Sequence, residues 1–256
     1  MTKLRVLDLF SGIGGFSLGL ERTGGFETVA FCEIEDFPRR VLEKHWPGVP
    51  CYDDVRTLTG ARLSADGITG VNVITGGFPC QDLSVAGKQR GMGEGTRSGL
   101  WSEIIRLVGE LRPQYVIVEN VAALLAGPSE RRGGWFGRVL GDLAECGYDA
   151  EWHVIQPEAV GLCLSRPRVW IVAYPKKKHV AQVVAQGRLS PEPGRMGADH
   201  IRRTQWAVDK SLMGGGPDGL PDRVDRFEGL GNAVVPQIPE LIGRALLANL
   251  ETREGA

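Results

Sequence analysis

Leu4-Arg5-Val6-Leu7-Asp8-Leu9-Phe10-Ser11-Gly12-Ile13-Gly14-Gly15-Phe16 is the stretch that decides the fold. An apolar run broken by Arg5 and Asp8 gives way to Ser11 and a glycine cluster, then to a second apolar stretch from Phe16 to Leu20. That order predicts a strand, a tight turn and a helix. Glycines directly after a strand let backbone amides approach a ligand at a helix N-terminus, which suits a carboxylate or phosphate. The spacing is not Gly-x-Gly-x-x-Gly, so a nicotinamide dinucleotide fold matches poorly.

Working outward, Glu27 to Cys32 reads as a second strand, and Asp36 can cap a helix through Val41 and Leu42 to about His45. Val71 to Thr75 is a β-branched run ending in Gly76-Gly77, a buried strand opening into a loop. Ser84 to Gly99, with Gly87, Gly91, Gly93 and Gly95, has little that could pack and reads as a loop. Leu100, Trp101, Ile104, Ile105, Leu107, Val108 and Leu111 then recur at helical spacing until Pro113, and Tyr115 to Val118 starts a strand. Trp135 to Cys146 reads as a helix, Trp152 to Ile155 and Val169 to Ala173 as strands, and Leu241 to Leu250 as a closing helix. Strands alternating with helices predict an α/β fold with a mainly parallel sheet, helices on both faces and ligands at the carboxyl ends of the strands. Asp8, Glu33, Asp54, Cys80 and Glu119 all fall at or just beyond such ends. Between residues 175 and 226 the pattern breaks into Pro, Gly and charge, which predicts a small irregular region.

The chain has 256 residues, enough for one large α/β domain plus an appendage. Hydrophobic content of 42% and charged content of 24% argue against wholesale disorder. The opening residues lack a secretory pattern and no apolar run spans about 18 residues, so a cytoplasmic protein is expected. Cys32, Cys51, Cys80, Cys146 and Cys163 form an odd set without a Cys-x-x-Cys pair, which argues against a disulfide framework and against a zinc site; no metal is expected. Net charge is −1, yet Arg166, Arg168, Lys176, Lys177, Lys178, Arg188, Arg195, Arg202 and Arg203 face only Glu192 and Asp199 within their stretch. That stretch is either a nucleic-acid contact or a solvated loop.

Four features carry chemistry. Glu33 ends the second strand, where α/β domains place an acid for ribose hydroxyls; alone it could equally be a surface carboxylate. Cys80 follows Pro79 before a glycine-rich loop, so its thiol can face a cleft as a nucleophile, against the plainer role of a small buried hydrophobe. Glu119-Asn120 terminates an apolar strand, and a carboxyl in such a setting can be raised in pKa and donate a proton. Arg166 and Arg168 flank Pro167, and guanidinium groups there could hold a carbonyl oxygen or a phosphate.

Taken together and in order, these segments resemble the C5-cytosine DNA methyltransferases across nearly the whole chain, and phage or prophage members in particular. Asp8 to Phe16 is similar to the family's opening S-adenosylmethionine motif. Glu33 resembles its ribose acid, with Ile34 beside it, and Asp54-Val55 the pair that contacts adenine. Gly77-Phe78-Pro79-Cys80-Gln81 resembles the nucleophile motif, Glu119-Asn120-Val121 the motif that holds the target base, Arg166-Pro167-Arg168 the Arg-x-Arg motif, and Gly231 to Pro236 the final cofactor motif.

The resemblance implies a Rossmann-like methyltransferase fold with S-adenosyl-L-methionine as cofactor. It implies catalysis by Cys80, Glu119, Arg166 and Arg168. Cofactor contacts fall to Asp8, Phe10, Ser11, Gly12, Ile13, Gly14, Gly15, Glu33, Ile34, Asp54, Val55, Gly77, Pro79, Leu100, Asn232, Ala233 and Val234. Double-stranded DNA is the partner, met by Gln81, Ser84, Lys88, Gln89 and Arg90. A monomer is expected, and a cognate restriction endonuclease is one cellular partner such an enzyme can have. Residues 1–174 would form the catalytic and cofactor-binding domain, 175–226 a target-recognition region, and 227–256 a segment returning to the catalytic domain. Two departures stand out: Leu164 replaces a polar residue common before Arg-x-Arg, and the recognition region is short. Rival readings are methylation of transfer RNA by the same thiolate chemistry and a catalytically silent DNA-binding protein.

Overall fold

In the computed structural model, residues 2–79, 100–126, 134–160, 166–176 and 233–254 are described. Their elements are β1 (Leu4–Leu9), α1 (Gly15–Glu21), β2 (Phe26–Cys32), α2 (Asp36–His45), β3 (Cys51–Tyr52), α3 (Gly60–Ala65), β4 (Val73–Gly76), α4 (Trp101–Leu111), β5 (Tyr115–Val121), α5 (Gly134–Glu145), β6 (Tyr148–Ile155), β7 (Arg168–Pro175) and α6 (Gln237–Glu254). The strands form one sheet in the order β3-β2-β1-β4-β5-β7-β6. The pairings from β3 through β5 are parallel, whereas β7 runs antiparallel to both β5 and β6. This is the expected mainly parallel, Rossmann-like sheet.

Strand alternation splits the core into two layers. Leu7, Leu9, Ile74, Val116 and Val118 pack with Trp101, Ile104, Leu107 and Val108 of α4, Leu63 of α3 and Val139 and Leu143 of α5. Their neighbours Leu4, Val6, Val73, Tyr115 and Ile117 face the other way, onto Phe16 and Leu20 of α1 and Ile238, Ile242 and Leu246 of α6. Near-continuous apolar strands are therefore needed, because both faces are covered. Each fully buried large side chain contributes about 1.5–3 kcal/mol over an exposed one.

The chain adds β2 and β3 on one side of β1, then returns to place β4 on the other. This reversal opens a crevice at the carboxyl ends of β1 and β4, where ligands of open α/β sheets bind. The glycine turn leaves β1 there, and Gly77-Phe78-Pro79 leaves β4 there.

Several boundaries differ from the sequence reading. Strand β3 and helix α3 are too short to show a period; β3 exists by pairing with β2, and α3 is marked by Thr59, whose side chain accepts from the Arg62 amide at 3.1 Å. Asp36 is the first residue of α2, with Glu35 at the cap position. Strand β5 runs on through Glu119 and Asn120 to Val121, because β7 pairs with that extension. Strand β6 starts at Tyr148 rather than Trp152, and α6 at Gln237 rather than Leu241. No helix among the described residues is long and apolar enough to cross a membrane.

Candidate active site

The turn after β1 is built from left-handed backbone: Phe10 has φ 52°, Gly12 51° and Gly14 85°. For Phe10 that conformation costs of order 1–3 kcal/mol, a strain typical of ligand-facing turns. Ser11 locks the turn, its hydroxyl donating to the Asp8 carbonyl at 2.5 Å and accepting from the Cys32 amide at 3.3 Å. Glu33, nearly buried at the end of β2, accepts from the Gly12 amide at 2.7 Å and the Glu35 amide at 2.9 Å. Space around Gly12 is open, with no heavy atom within 4 Å of where a Cβ would stand. Beside Glu33, Ile34 is 60% exposed, an apolar side chain presented to solvent at a strand end.

The other glycines serve packing. A Cβ on Gly14 would stand 2.6 Å from the Trp46 ring, and one on Gly15 would collide with the Val234 carbonyl. Val234 and Ala233 thus return to the first turn. Ile13 is half-buried, and Leu100 packs against the core layer at the start of α4. At the end of β3, Asp54 is half-buried and held by Arg56 at 2.8 Å, which lowers its pKa, while the Val55 side chain is buried.

Asp8 lies beneath the turn rather than on its surface. Its carboxylate is fully buried and accepts from the Thr75 hydroxyl at 2.6 Å and the Ser17 hydroxyl at 2.8 Å. Burial pushes its pKa up to about 7, against the pull of those hydroxyls. It joins β1, α1 and β4 from inside.

Across the crevice, Glu119 and Arg168 meet, Arg168 Nε donating to Glu119 Oε1 at 2.9 Å. Antiparallel pairing sets Glu119 opposite Trp170 and Val121 opposite Arg168, which makes the pair a diagonal one. Burial raises the Glu119 pKa, and Arg168 and Arg166 oppose that rise. A Cβ on Gly77 would stand 3.4 Å from Glu119 Oε2, so the carboxyl faces the segment leading to Cys80. Arg166 donates to the Ala233 carbonyl. Its own pKa is lowered, by burial first and by Arg168 second.

Asn120, the middle residue of Glu119-Asn120-Val121, has a role that the sequence does not announce. It is buried, its side-chain amide donates to the Phe78 carbonyl at 3.1 Å, and its side-chain oxygen accepts from the Val121 amide at 2.8 Å. It therefore holds the backbone just before the half-buried Pro79. Ser17, Thr75 and Trp46 also support the site, through Asp8 and Glu21; the one hint in the sequence is Thr75, a polar residue within an apolar strand. Cys80, Gln81, Ser84, Lys88, Gln89, Arg90, Leu164, Asn232 and most of residues 175–226 lie outside the described residues.

The family model for C-5 cytosine-specific DNA methylases matches residues 4–210. The chain is 33% identical over 199 residues to the type II methyltransferase M.Sau3AI of Staphylococcus aureus, covering 74% of this chain and 48% of that one. It is 34% identical over 226 residues to the type II methyltransferase M2.BsuMI of Bacillus subtilis, covering 85% and 55% respectively. The chain belongs to the C-5 cytosine-specific DNA methylase family. It spans about half the length of these curated relatives. Among solved structures, an E. coli prophage-encoded protein described as a DNA modification methyltransferase superposes with TM-score 0.67 at 18% identity, over 97% of this chain and all of that one. The Dnmt2 methyltransferase of S. pombe superposes with TM-score 0.65 at 16% identity, over 98% and 99%. At such identities these two matches speak to the fold alone.

Proposed function

We propose that this chain is a DNA (cytosine-5-)-methyltransferase that moves a methyl group from S-adenosylmethionine to C5 of a flipped-out cytosine through a covalent Cys80 adduct. The observation that carries this reading is the Glu119–Arg168 pair at the crevice, facing Gly77 just upstream of Cys80. Stacking hides a cytosine inside a duplex, so the base must leave the helix first. The Cys80 thiolate then forms a bond to C6, and N3 takes a proton from Glu119, whose burial favours the protonated carboxyl. Arg168 holds O2, and Arg166 ties that strand end to Ala233. With C5 now electron-rich and methylated, solvent water takes the C5 proton, the bond between sulfur and C6 breaks to return the Cys80 thiolate, and N3 gives its proton back to Glu119.

The cleft fits the cofactor by its donor set: Glu33 for the ribose diol, Ile34 and the Asp54-Val55 segment for adenine, and open backbone at Gly12 for the amino-acid end. S-adenosylmethionine, when bound there, supplies the electrophilic methyl group. Phe10, Ser11, Ile13, Gly14, Gly15, Gly77, Pro79, Leu100, Asn232, Ala233 and Val234 complete our assignment, with Asp8 supporting the turn from beneath. Gln81, Ser84, Lys88, Gln89 and Arg90 would meet DNA, and residues 175–226 would choose its sequence. The same reading puts a monomeric enzyme with its DNA in the cytoplasm of a bacterial or phage-infected cell. It also leaves room for a restriction endonuclease partner, in line with the type II names of the relatives.

Methyl incorporation from labelled cofactor, with duplex DNA and transfer RNA as competing substrates, tests the reading. Label in DNA, lost in Cys80→Ala, and covalent trapping of the wild type by 5-fluorocytosine DNA are expected. Label confined to transfer RNA, or activity retained by Cys80→Ala, would overturn it.

A further inference from the structure

Arg106, on the face of α4 turned toward α3, makes more polar contacts than any feature of the sequence announces. Its Nη2 donates to the Val55 carbonyl at 2.9 Å and to the Leu58 carbonyl at 2.7 Å. Its Nε and Nη1 are held by Glu103 at 2.8 Å and Glu110 at 2.7 Å, one turn before and one turn after it on the same helix face. The other oxygen of Glu110 accepts from the Gly60 amide at 2.7 Å, at the start of α3. A guanidinium with a carboxylate on each flank cannot swing freely, so its fork is aimed at those two carbonyls before any ligand arrives.

The segment it holds is the one that follows β3. The Asp54 carbonyl accepts from the Thr57 and Leu58 amides at 3.1 and 3.2 Å, and the Val55 side chain is buried. With the Val55 and Leu58 carbonyls taken by Arg106 and the Asp54 carbonyl by the turn itself, three carbonyls of this stretch are held, and Asp54 and Val55 follow the strand whose Tyr52 carbonyl accepts from the Glu33 amide at 2.9 Å. A surface ion pair would be worth little, but a guanidinium bonded to two backbone carbonyls fixes the shape of a loop.

We infer that Arg106 is a positioning residue for the wall of the cleft that meets the adenine ring, acting from α4 through the Val55 and Leu58 carbonyls. The inference rests on the cofactor reading above. It predicts an effect on cofactor binding and not on the methyl-transfer step, because Arg106 touches nothing at the Glu119–Arg168 pair.

Calorimetric titration with S-adenosylmethionine, alongside steady-state kinetics, tests it. In Arg106→Met the dissociation constant and the KM for cofactor rise about tenfold, while kcat at saturating cofactor and the KM for DNA stay within about twofold. Arg106→Lys keeps the charge but not the fork and falls between the two; it serves if the Met variant does not fold. Glu103→Gln removes one charge but keeps an oxygen that can accept from Nε, with Glu110 and both carbonyl bonds in place, so its cofactor affinity stays close to wild type. Equal affinity in wild type and both Arg106 variants overturns the inference, as does a loss in Glu103→Gln as large as in Arg106→Met. A wild type that binds no cofactor sinks the functional reading itself, a separate outcome.

Discussion

Thr75 donates its hydroxyl to the buried carboxylate of Asp8 at 2.6 Å, across the junction where β4 is laid against β1. The bond joins the strand that ends in the glycine turn to the strand that leads toward Cys80. Its strength depends on the charge Asp8 carries.

Asp8 therefore makes stability depend on pH. Its folded pKa, about 7, lies above the usual carboxylate value because of burial. Its stabilising contribution is complete in acid and is lost as pH rises through the window from about 4 to about 7, at roughly 1.4 kcal/mol per pH unit where the slope is steepest. Asp8→Asn removes this slope. Urea unfolding at pH 5 and pH 8 should show the variant gaining on wild type as pH rises, and a constant difference would refute the assignment.

Gly12 and Gly15 should fail in different ways. Gly15→Ala drives a methyl group into the Val234 carbonyl and should cost about 1–3 kcal/mol of stability, seen as a lower Tm. Gly12→Ala meets open space and pays only for its left-handed backbone, about 1–2 kcal/mol, yet its methyl group fills the cleft, so cofactor affinity should fall further than in Gly24→Ala. Gly24 shares the left-handed conformation and the open surroundings, away from the cleft, and is the control.

Removing the carboxyl that faces Gly77 should stop chemistry without unfolding the chain. Glu119→Gln should lower kcat about 10²- to 10⁴-fold, with Tm nearly unchanged. Arg168 holds the Glu119 pKa down against burial. In Arg168→Met the Glu119 carboxyl should thus titrate at higher pH, followed by carbon-13 NMR of labelled glutamate; an equal or lower midpoint would refute the pairing.

Asn120→Ala frees the Phe78 carbonyl and leaves it buried without its partner, costing about 1–3 kcal/mol. If Asn120 places the segment before Cys80, kcat should drop about 10²-fold while cofactor affinity holds. A kcat equal to wild type would confine Asn120 to a structural role.

The strands and glycine turn were legible because both sheet faces are covered, which forces apolar runs such as Val71 to Thr75 and Tyr115 to Val118. Strand β3 was not, since two residues show no period and only pairing with β2 defines them. The extension of β5 through Glu119 was hidden for the same reason: β7, far along the chain, makes it a strand. At the site, Glu33, Glu119 and the arginines could be named from residue type and place. Asp8 could be named too, but as a cofactor contact; its support of the turn from beneath, and the roles of Asn120 and Arg106, rest on hydrogen bonds to residues remote in sequence. Polar residues within apolar elements, such as Asp8 in β1 and Thr75 in β4, were the available hint.

The contact between Gly15 and Val234 also sets a schedule for the newborn chain. A ribosome makes Gly15 well before the carbonyl that packs on it, and before helix α6 that covers α1, at roughly 5–20 residues per second. Until they emerge, Phe16, Leu20 and Phe26 lack part of their cover. Nascent chains and fragments stalled before Val234 should accordingly be targets for chaperones and proteases, unable to complete the glycine turn however well the sheet has formed.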